Sequence, residues 1–528
     1  MEILNIKNLS FKYYGADENT FENINFSVNK GEIVLICGKS GCGKTTLLKM
    51  LKPQIAPYGE KNGEILFNNE DLFRLDEGRS ASKIGFVMQD PDSQIISDRV
   101  WYELAFGLQN IGLESSLIKR RIAEMSGSFG IDKWIEKNTY ELSGGQKQIL
   151  NLASVMAMDP ELLILDEPTS QLDPVSASEF IRLLKKLNEE KNTTIIIVEH
   201  RLEEIFSLAS KVIFIDKKTA NVVSSPTNIL NDSLNIPDSF LPIFVRLFKD
   251  LQIEGECPLT IKQTREFLQN NFKKASFHLS PKNKTYEPLL EIKNLCFRYE
   301  KHSQDILKNL DLTVNKNEII SVLGGNGQGK TTLLKVISSI LKPYSGKVKI
   351  KDKLKISYLS QNPTDVFLKD TVRLDFEAVS SDYKEFTERF SITPLLDRHP
   401  FDLSCGQQQK CAVVKLLLTK PDVILLDETT KGLDEDAKKV LKDILLELKK
   451  QGKTVVLSTH DVEFAAKISD RCALLFNKEI VCCEEAHKFF FENIFYTTVS
   501  SLVSIDVFEN VTVYDDLLKM CQSQKGGL

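Results

Sequence analysis

Two glycine-rich stretches constrain this chain more than any other feature. Gly38-Lys39-Ser40-Gly41-Cys42-Gly43-Lys44-Thr45-Thr46 is the first, and Gly324-Gly325-Asn326-Gly327-Gln328-Gly329-Lys330-Thr331-Thr332 is the second. Each fits G-x-x-x-x-G-K-[ST], a loop that cradles phosphates. Each follows an apolar, β-branched run (33–36; 319–323) and precedes a helical pattern (47–50; 333–336). Strand, glycine loop, helix is the order this motif requires. The glycines let backbone N–H groups wrap a phosphate, and the helix N-terminus adds a positive dipole end. Lys44 and Lys330 are expected to reach the outer phosphates, and Thr45 and Thr331 to offer hydroxyls to Mg²⁺. Two ordinary glycine turns are the plainer alternative; two matches in the required context weigh against it.

Length and composition set the frame. At 528 residues the chain exceeds one ordinary core, which predicts two to four domains. Hydrophobic content of 42% with 27% charged residues is that of a soluble globular protein. A net charge of −5 gives no global pull toward nucleic acid or anionic lipid. No apolar run approaches the ~20 residues that cross a bilayer, and Met1-Glu2-Ile3-Leu4-Asn5 starts directly into a strand-like run rather than a signal pattern. Ten cysteines without C-x-x-C spacing predict reduced, cytosolic thiols. Cys42 sits inside a phosphate loop, where oxidation would block nucleotide; a small tolerated side chain is the plainer reading.

Residues 3–28 alternate apolar and polar positions around a loop, which predicts an antiparallel strand pair. Tyr13 stands before the first loop, and Phe297-Arg298-Tyr299 repeats the arrangement before the second. An aromatic there stacks on a base or fills strand core; the recurrence favours stacking. A strand at 83–88 ends in Gln89-Asp90-Pro91-Asp92-Ser93-Gln94, and a helical region follows over 98–139. Gln89 is a ligand for Mg²⁺, a water-orienting group or a simple turn residue. Leu142-Ser143-Gly144-Gly145-Gln146 opens a helix, with Ser143 as N-cap. The buried parallel strand Leu162-Leu163-Ile164-Leu165 delivers Asp166-Glu167. Asp166 suits Mg²⁺ through water, and Glu167 suits general-base work on an attacking water. A turn, Ser170-Gln171-Leu172-Asp173, follows; the strand at 194–198 then delivers Glu199-His200. His200 reads as a phosphate contact or a satisfied core histidine.

The program repeats. Gln361 ends a strand, Leu403-Ser404-Cys405-Gly406-Gln407 opens a helix, and a buried strand delivers Asp427-Glu428. Lys431-Gly432-Leu433-Asp434 is the turn, and another strand delivers His460. Ser143 to Asp166 and Ser404 to Asp427 are both 23 residues, and Asp166 to His200 is 34 against 33 for Asp427 to His460. Lys44 to Gln89 is 45 but Lys330 to Gln361 only 31. Spacing holds where the chemistry sits and drifts where loops belong, which marks an internal duplication. The expected division is 1–222, a small helical extension and linker over 223–287, 288–485, and a tail over 486–528. Short helices are expected at 237–251 and 260–272. The basic residues of 262–284 read as a solvated linker or as a nucleic-acid contact.

With glycine loop, glutamine, L-S-G-G-Q, D-E and histidine in this order twice, the chain closely resembles a tandem ATP-binding-cassette (ABC) ATPase. The resemblance implies an α/β fold with two P-loop nucleotide-binding domains, each with an antiparallel β subdomain and a helical signature subdomain. It implies ATP and Mg²⁺, shared between one half's P-loop and the other half's signature. One site would use Tyr13, Gly38, Ser40, Gly41, Cys42, Gly43, Lys44, Thr45, Thr46, Gln89, Asp166, Glu167 and His200 with Ser404, Cys405, Gly406 and Gln407. The other would use Tyr299, Gly324, Asn326, Gly327, Gln328, Gly329, Lys330, Thr331, Thr332, Gln361, Asp427, Glu428 and His460 with Ser143, Gly144, Gly145 and Gln146. Asp173 and Asp434 match the loop that links the sites. Cys405 replaces the signature's first glycine, so the first site is expected to clamp ATP less well.

A narrower resemblance comes from 89–94 and Val100-Trp101-Tyr102-Glu103-Leu104-Ala105-Phe106-Gly107-Leu108, similar to the ATPase component of energy-coupling-factor importers. It implies a transmembrane coupling protein and a small membrane substrate-capture protein as partners. It places the chain peripherally on the cytoplasmic face of the membrane, serving uptake of a vitamin-like or metal-ion micronutrient, with no nucleic-acid partner expected. The alternative class is a tandem cassette acting on ribosomes in translation. Those proteins usually carry a long charged helical linker, whereas this linker contains Pro237, Pro242, Pro258 and Pro281.

Overall fold

The computed structural model describes residues 1–39, 41–200, 202–216, 218–223, 225–229, 236–253, 255–277, 287–351 and 353–524. Ser40 and the polar stretch 280–284 lie outside the described residues. The chain divides into two units, residues 1–260 and 261–528.

In the first unit, β1 (Glu2–Tyr13) and β2 (Phe21–Asn29) pair antiparallel. Ile24, Phe26 and Val28 bury one face of β2 with polar residues between them, the period-2 pattern of a half-covered strand, and a register shift before Ile24 lets Phe21 bury as well. β3 (Ile33–Gly38) leads into α1 (Lys44–Met50). β4 (Gly59–Phe67) joins the free side of β1, with β5 (Glu70–Asp71) beyond it. The second sheet adds β6 (Ile84–Val87), β7 (Leu162–Asp166), β8 (Thr194–Val198), β9 (Lys211–Asp216) and β10 (Thr219–Val223), in the order β10-β9-β3-β8-β7-β6. All but β10 run parallel. Every residue of β3, β7 and β8 is buried, as a parallel sheet covered on both faces requires. Each apolar side chain buried there contributes ~1.5–3 kcal/mol. Open parallel sheets bind ligands beyond the carboxyl ends of their strands. Those ends carry the glycine loop, Asp166-Glu167, Glu199-His200 and, after β6, Gln89.

Between β6 and β7 lie α2 (Val100–Asn110), α3 (Ser115–Phe129) and α4 (Gly144–Ala157), with α2 and α3 packed on α4. After β7 comes α5 (Pro174–Lys191), started by Asp173 as N-cap and Pro174 at the first position, where a missing N–H costs nothing. The extension folds as α6 (Ile243–Leu251), which buries Phe244, Val245, Leu247, Phe248 and Leu251. Phe244 meets Phe206 edge-on at 6.4 Å, and Phe240 meets Phe214 at 5.3 Å.

The second unit begins with α7 (Ile261–Asn271) and β11 (Ala275–Ser276). β12 (Pro288–Phe297), β13 (Leu307–Asn315) and β15 (Ser345–Ile350) form the antiparallel sheet, with β12 central. β14 (Ile319–Leu323), β16 (Ile356–Leu359), β17 (Val423–Asp427), β18 (Thr454–Ser458), β19 (Arg471–Phe476) and β20 (Glu479–Glu485) form the other, in the order β16-β17-β18-β14-β19-β20. This repeats the first unit strand for strand. α8 (Lys330–Ile337) follows the second glycine loop. α9 (Val372–Glu377), α10 (Lys384–Arg389) and α11 (Cys405–Leu418) replace α2 to α4, and α12 (Glu435–Lys450) replaces α5. The spacing difference before the two glutamines has a physical source. The first unit inserts β5 and the helix Glu77–Lys83 between β4 and β6, and the second goes from β15 directly to β16.

The tail supplies α13 (Ala486–Glu492), α14 (Val499–Ser504), β21 (Phe508–Glu509) and α15 (Tyr514–Gln524). Phe489 and Phe490 bury in a cluster with Leu323, Ala465 and Cys472. α7 and β11, which lie early in the sequence, pack on this tail. β11 pairs parallel with β21, Arg265 donates to the carbonyl of Leu502 at 2.6 Å, and Phe272 meets Phe508 at 5.9 Å. The segment read as one extension and linker is therefore divided, with α6 in the first unit and α7 in the second.

Candidate nucleotide sites

The glycine loops need glycine at their first position. Gly38 has φ 153° and Gly324 φ 149°; a Cβ there would meet the carbonyl oxygens of Ile215 at 2.4 Å and Leu475 at 2.3 Å. The backbone thus turns sharply off the strand against the neighbouring strand. Both lysines fold back over their loops. Lys44 Nζ donates to Gly38 and Lys39 carbonyls at 2.7 and 2.9 Å, and Lys330 Nζ to Gly324 and Gly325 carbonyls at 2.8 and 3.1 Å. Burial raises the Cys42 thiol above its ordinary value, so it does not carry a reactive thiolate.

In the first unit β7 brings Asp166 under the loop, where it accepts from Thr45 Oγ1 at 3.1 Å. Burial, then the neighbouring Glu167 charge, push the Asp166 carboxyl up to about 6. Glu167 itself has φ 44°, in the left-handed region that only glycine and asparagine enter readily. Glu428 sits the same way, with φ 52°. This conformation recurs at other residues such as Lys420 and Lys478, and here it is sustained by the surrounding structure. It aims Glu167 so that Oε2 accepts from Gln89 Nε2 at 2.7 Å, while Oε1 lies 2.8 Å from His200 Nε2. Burial opposes ionisation of Glu167. The hydrogen bond and charge of His200, together with Lys44, outweigh it and leave the carboxyl below its ordinary value.

One contributor escaped sequence reasoning. Glu199 is buried and accepts the backbone N–H groups of Thr169 at 2.8 Å and His200 at 3.1 Å, fixing the turn after Glu167 against the His200 backbone. Burial raises its carboxyl. A carboxylate beside a strand-end histidine was visible in the sequence but signalled nothing by itself.

The second unit assembles the same residues differently. Glu428 Oε2 accepts the His460 N–H at 3.1 Å, and Oε1 lies 3.0 Å from His460 Nε2 and 3.8 Å from Lys330 Nζ. Burial pushes Glu428 up to about 7, against the pull of Lys330. Asp427 accepts from Tyr358 Oη at 3.0 Å and Ser458 Oγ at 2.5 Å. Gln361 is exposed.

Tyr13 and Tyr299 stand at the rims. Tyr13 Oη lies 2.9 Å from Thr46 Oγ1, and Tyr299 Oη 3.2 Å from Thr332 Oγ1. Each ring meets the preceding phenylalanine edge-on at 5.0 Å, with exposure of 40% and 59%. These are exposed rather than core aromatics. Ser143 and Ser404 cap α4 and α11 with capping boxes to Gln146 and Gln407. The bonds described for these four side chains stay within the boxes. Asp173 and Asp434 cap α5 and α12. Cys405 is exposed, and a Cβ on Gly406 would come within 2.5 Å of the Gly432 carbonyl.

The donors fit a hard divalent cation. Thr45 hydroxyl, Asp166 carboxylate and Gln89 amide in one unit, and Thr331, Asp427 and Gln361 in the other, are oxygen ligands of the kind Mg²⁺ takes beside substrate phosphates.

Comparison with known proteins agrees. The family profile described as ABC transporter matches residues 21–170 and 307–431. A Bacillus anthracis protein with the provisional name ABC transporter ATP-binding protein is 37% identical over 98% of each chain. A Bacillus subtilis protein with the provisional name HMP/thiamine import ATP-binding protein YkoD is 32% identical over 90% of each chain. ABCE1, solved in an archaeal ribosome-bound complex with Pelota, aligns with a TM-score of 0.63 at 20% identity, covering 91% of this chain and 79% of that one, a likeness of fold alone. The chain belongs to the ABC transporter ATP-binding family, as a duplicated ATPase with two cassettes. Hydrolysis of ATP is its chemistry.

Proposed function

We propose that the chain is the energy-coupling subunit of an energy-coupling-factor-type importer, peripheral to the cytoplasmic face of a membrane, serving uptake of a vitamin-like or metal-ion micronutrient. The observation that carries this reading is the built form of 89–94. Gln94 folds back, accepting from Met88 N at 2.8 Å and donating to the Phe86 carbonyl at 3.0 Å. α4 holds the outer side of the loop through Asn151 to the Pro91 carbonyl at 3.1 Å and Lys147 to Asp92. Beside it Ile96, Tyr102 and Phe106 are exposed, an apolar footing for a transmembrane coupling protein. The thiamine-related name of the Bacillus subtilis relative supports the same class of cargo.

Tyr13 and Tyr299 stack on adenine. Loop N–H groups with Lys44 and Lys330 hold the phosphates. Thr45, Gln89 and Asp166, or their counterparts, would hold Mg²⁺, which would supply charge neutralisation for the outer phosphates. Glu167 and Glu428 take the proton of the attacking water. His200 and His460 hold those carboxylates and face the terminal phosphate. ATP draws the halves together, hydrolysis releases them, and the membrane partner follows.

The test is capture of a tagged Glu167→Gln, Glu428→Gln chain with ATP from mildly solubilised cells. Small polytopic membrane proteins are the expected companions. Ribosomal proteins in their place would overturn the importer reading in favour of a translation factor.

A further inference from the structure

The aspartates that end β7 and β17 occupy the same place in two matching sheets, yet different groups hold them. Asp427 is fully buried, and each of its oxygens accepts a strand hydroxyl, Oδ2 from Tyr358 and Oδ1 from Ser458. The sheet registers show what the first unit has there. Tyr358 pairs with Leu425 and Ser458 with Asp427; in the first unit Phe86 pairs with Ile164 and Val198 with Asp166. The same two positions therefore carry a phenyl ring and an isopropyl group, neither able to donate. Asp166 instead takes its hydrogen bond from Thr45, in the first turn of α1.

We infer that Tyr358 and Ser458 are positioning residues, which hold Asp427 in a fixed, metal-ready orientation that the first site lacks. The inference rests on the proposed role of Asp427 toward Mg²⁺. The physical basis is the rigidity of the donors. Both sit on strands flanking β17, Tyr358 on the half-buried β16 and Ser458 on the fully buried β18, and two donors on two oxygens fix the carboxylate plane. Thr331 is left to turn its own hydroxyl to the cation, since among the described residues Asp427 is satisfied without it. In the first site the one side-chain donor to Asp166 among the described residues is Thr45, itself an expected metal ligand. Outer groups of this kind typically set metal affinity by 10–100-fold.

The experiment uses the full chain carrying Lys44→Ala, so that the first site is weakened, and titrates Mn²⁺ in the presence of ATP by electron paramagnetic resonance. Tyr358→Phe with Ser458→Val is expected to weaken Mn²⁺ binding about tenfold, with Tyr358→Phe alone giving a smaller loss in the same direction. Ser458→Thr, which keeps the hydroxyl, is expected to stay within about twofold of the parent, since the donor that orients the metal ligand is retained. Metal-free ATP binding, read with a fluorescent analogue, should not change. Unaltered Mn²⁺ affinity in the double variant, while Asp427→Asn loses it, would overturn the inference alone. Unaltered affinity in Asp427→Asn would remove the proposed role of Asp427 and the inference with it.

Discussion

Gln89 Nε2 donates to Glu167 Oε2 at 2.7 Å, joining the end of β6 to the end of β7 through one side-chain bond. Gln171 ties the same loop from the other side, donating to the Gln89 carbonyl at 3.4 Å. A change that moves the loop at 89–94 therefore pulls directly on the carboxylate assigned to water activation. In the place of Gln171 the second unit has Gly432, which has no side chain to make that tie.

Replacing Glu167 or Glu428 with glutamine keeps the shape and removes the proposed base. Each change is expected to slow its own site by ~10²–10⁴, a general-base contribution. Single-turnover hydrolysis of radiolabelled ATP by the single and double variants checks this, and a double variant working at the parent's rate would refute the assignment.

The two bases should also respond differently to acid. Glu428 lies at about 7, raised mainly by burial, whereas Glu167 lies below its ordinary value. A base works only when deprotonated. With Glu167→Gln, leaving the second site, the rate should fall as pH drops through about 7. With Glu428→Gln, leaving the first, it should hold to lower pH. Identical acid limbs would contradict the difference between the two environments.

Removal of the rim aromatics tests base stacking. Tyr13→Ala or Tyr299→Ala should cost about 1–3 kcal/mol of nucleotide affinity, the usual worth of an aromatic–base stack. Tyr→Phe should cost little, because the ring face survives. Equilibrium binding of a fluorescent ATP analogue separates the two, and equal losses would point to the hydroxyl bonds with Thr46 and Thr332 instead.

A stability difference is built into the second helical region. Asp375 is fully buried, accepts the backbone N–H groups of Leu368 and Lys369, and pairs with Lys415 at 2.5 Å. The first unit uses Glu103 for the matching backbone bonds, to Ile96 and Ser97, and has Ser154 opposite. Asp375→Ala strands a buried ammonium and should destabilise the second unit by about 3–5 kcal/mol. Asp375→Leu with Lys415→Met should recover much of that loss. Urea unfolding of the full chain, with hydrogen exchange in α9 and α11 as the local readout, tests both.

The repeated motifs were legible because each couples a residue type to a local geometry. Glycine before a helix, a carboxylate pair after an all-apolar run, and serine three residues before glutamine each leave a sequence trace. The helices at 243–251 and 261–271 were legible as well, although the first was expected from 237. What stayed hidden depends on contacts across the sheet. Tyr358 and Ser458 look like ordinary strand residues until β17 places Asp427 between them. Glu199 gains meaning only when Thr169, thirty positions earlier, turns its N–H toward it. The pairing of β11 with β21 joins residues 275 and 508, and no local pattern encodes a partner so remote.

That last pairing bears on how such a gene can be cut and rejoined. The second cassette does not begin at its first large strand, because α7 and β11 take their seat from its own final residues. A split gene that respects the fold would break in the stretch just before Ile261, and a transplant that began at Pro288 would leave the seat on α14 and β21 empty. The two ends of the unit have to travel together.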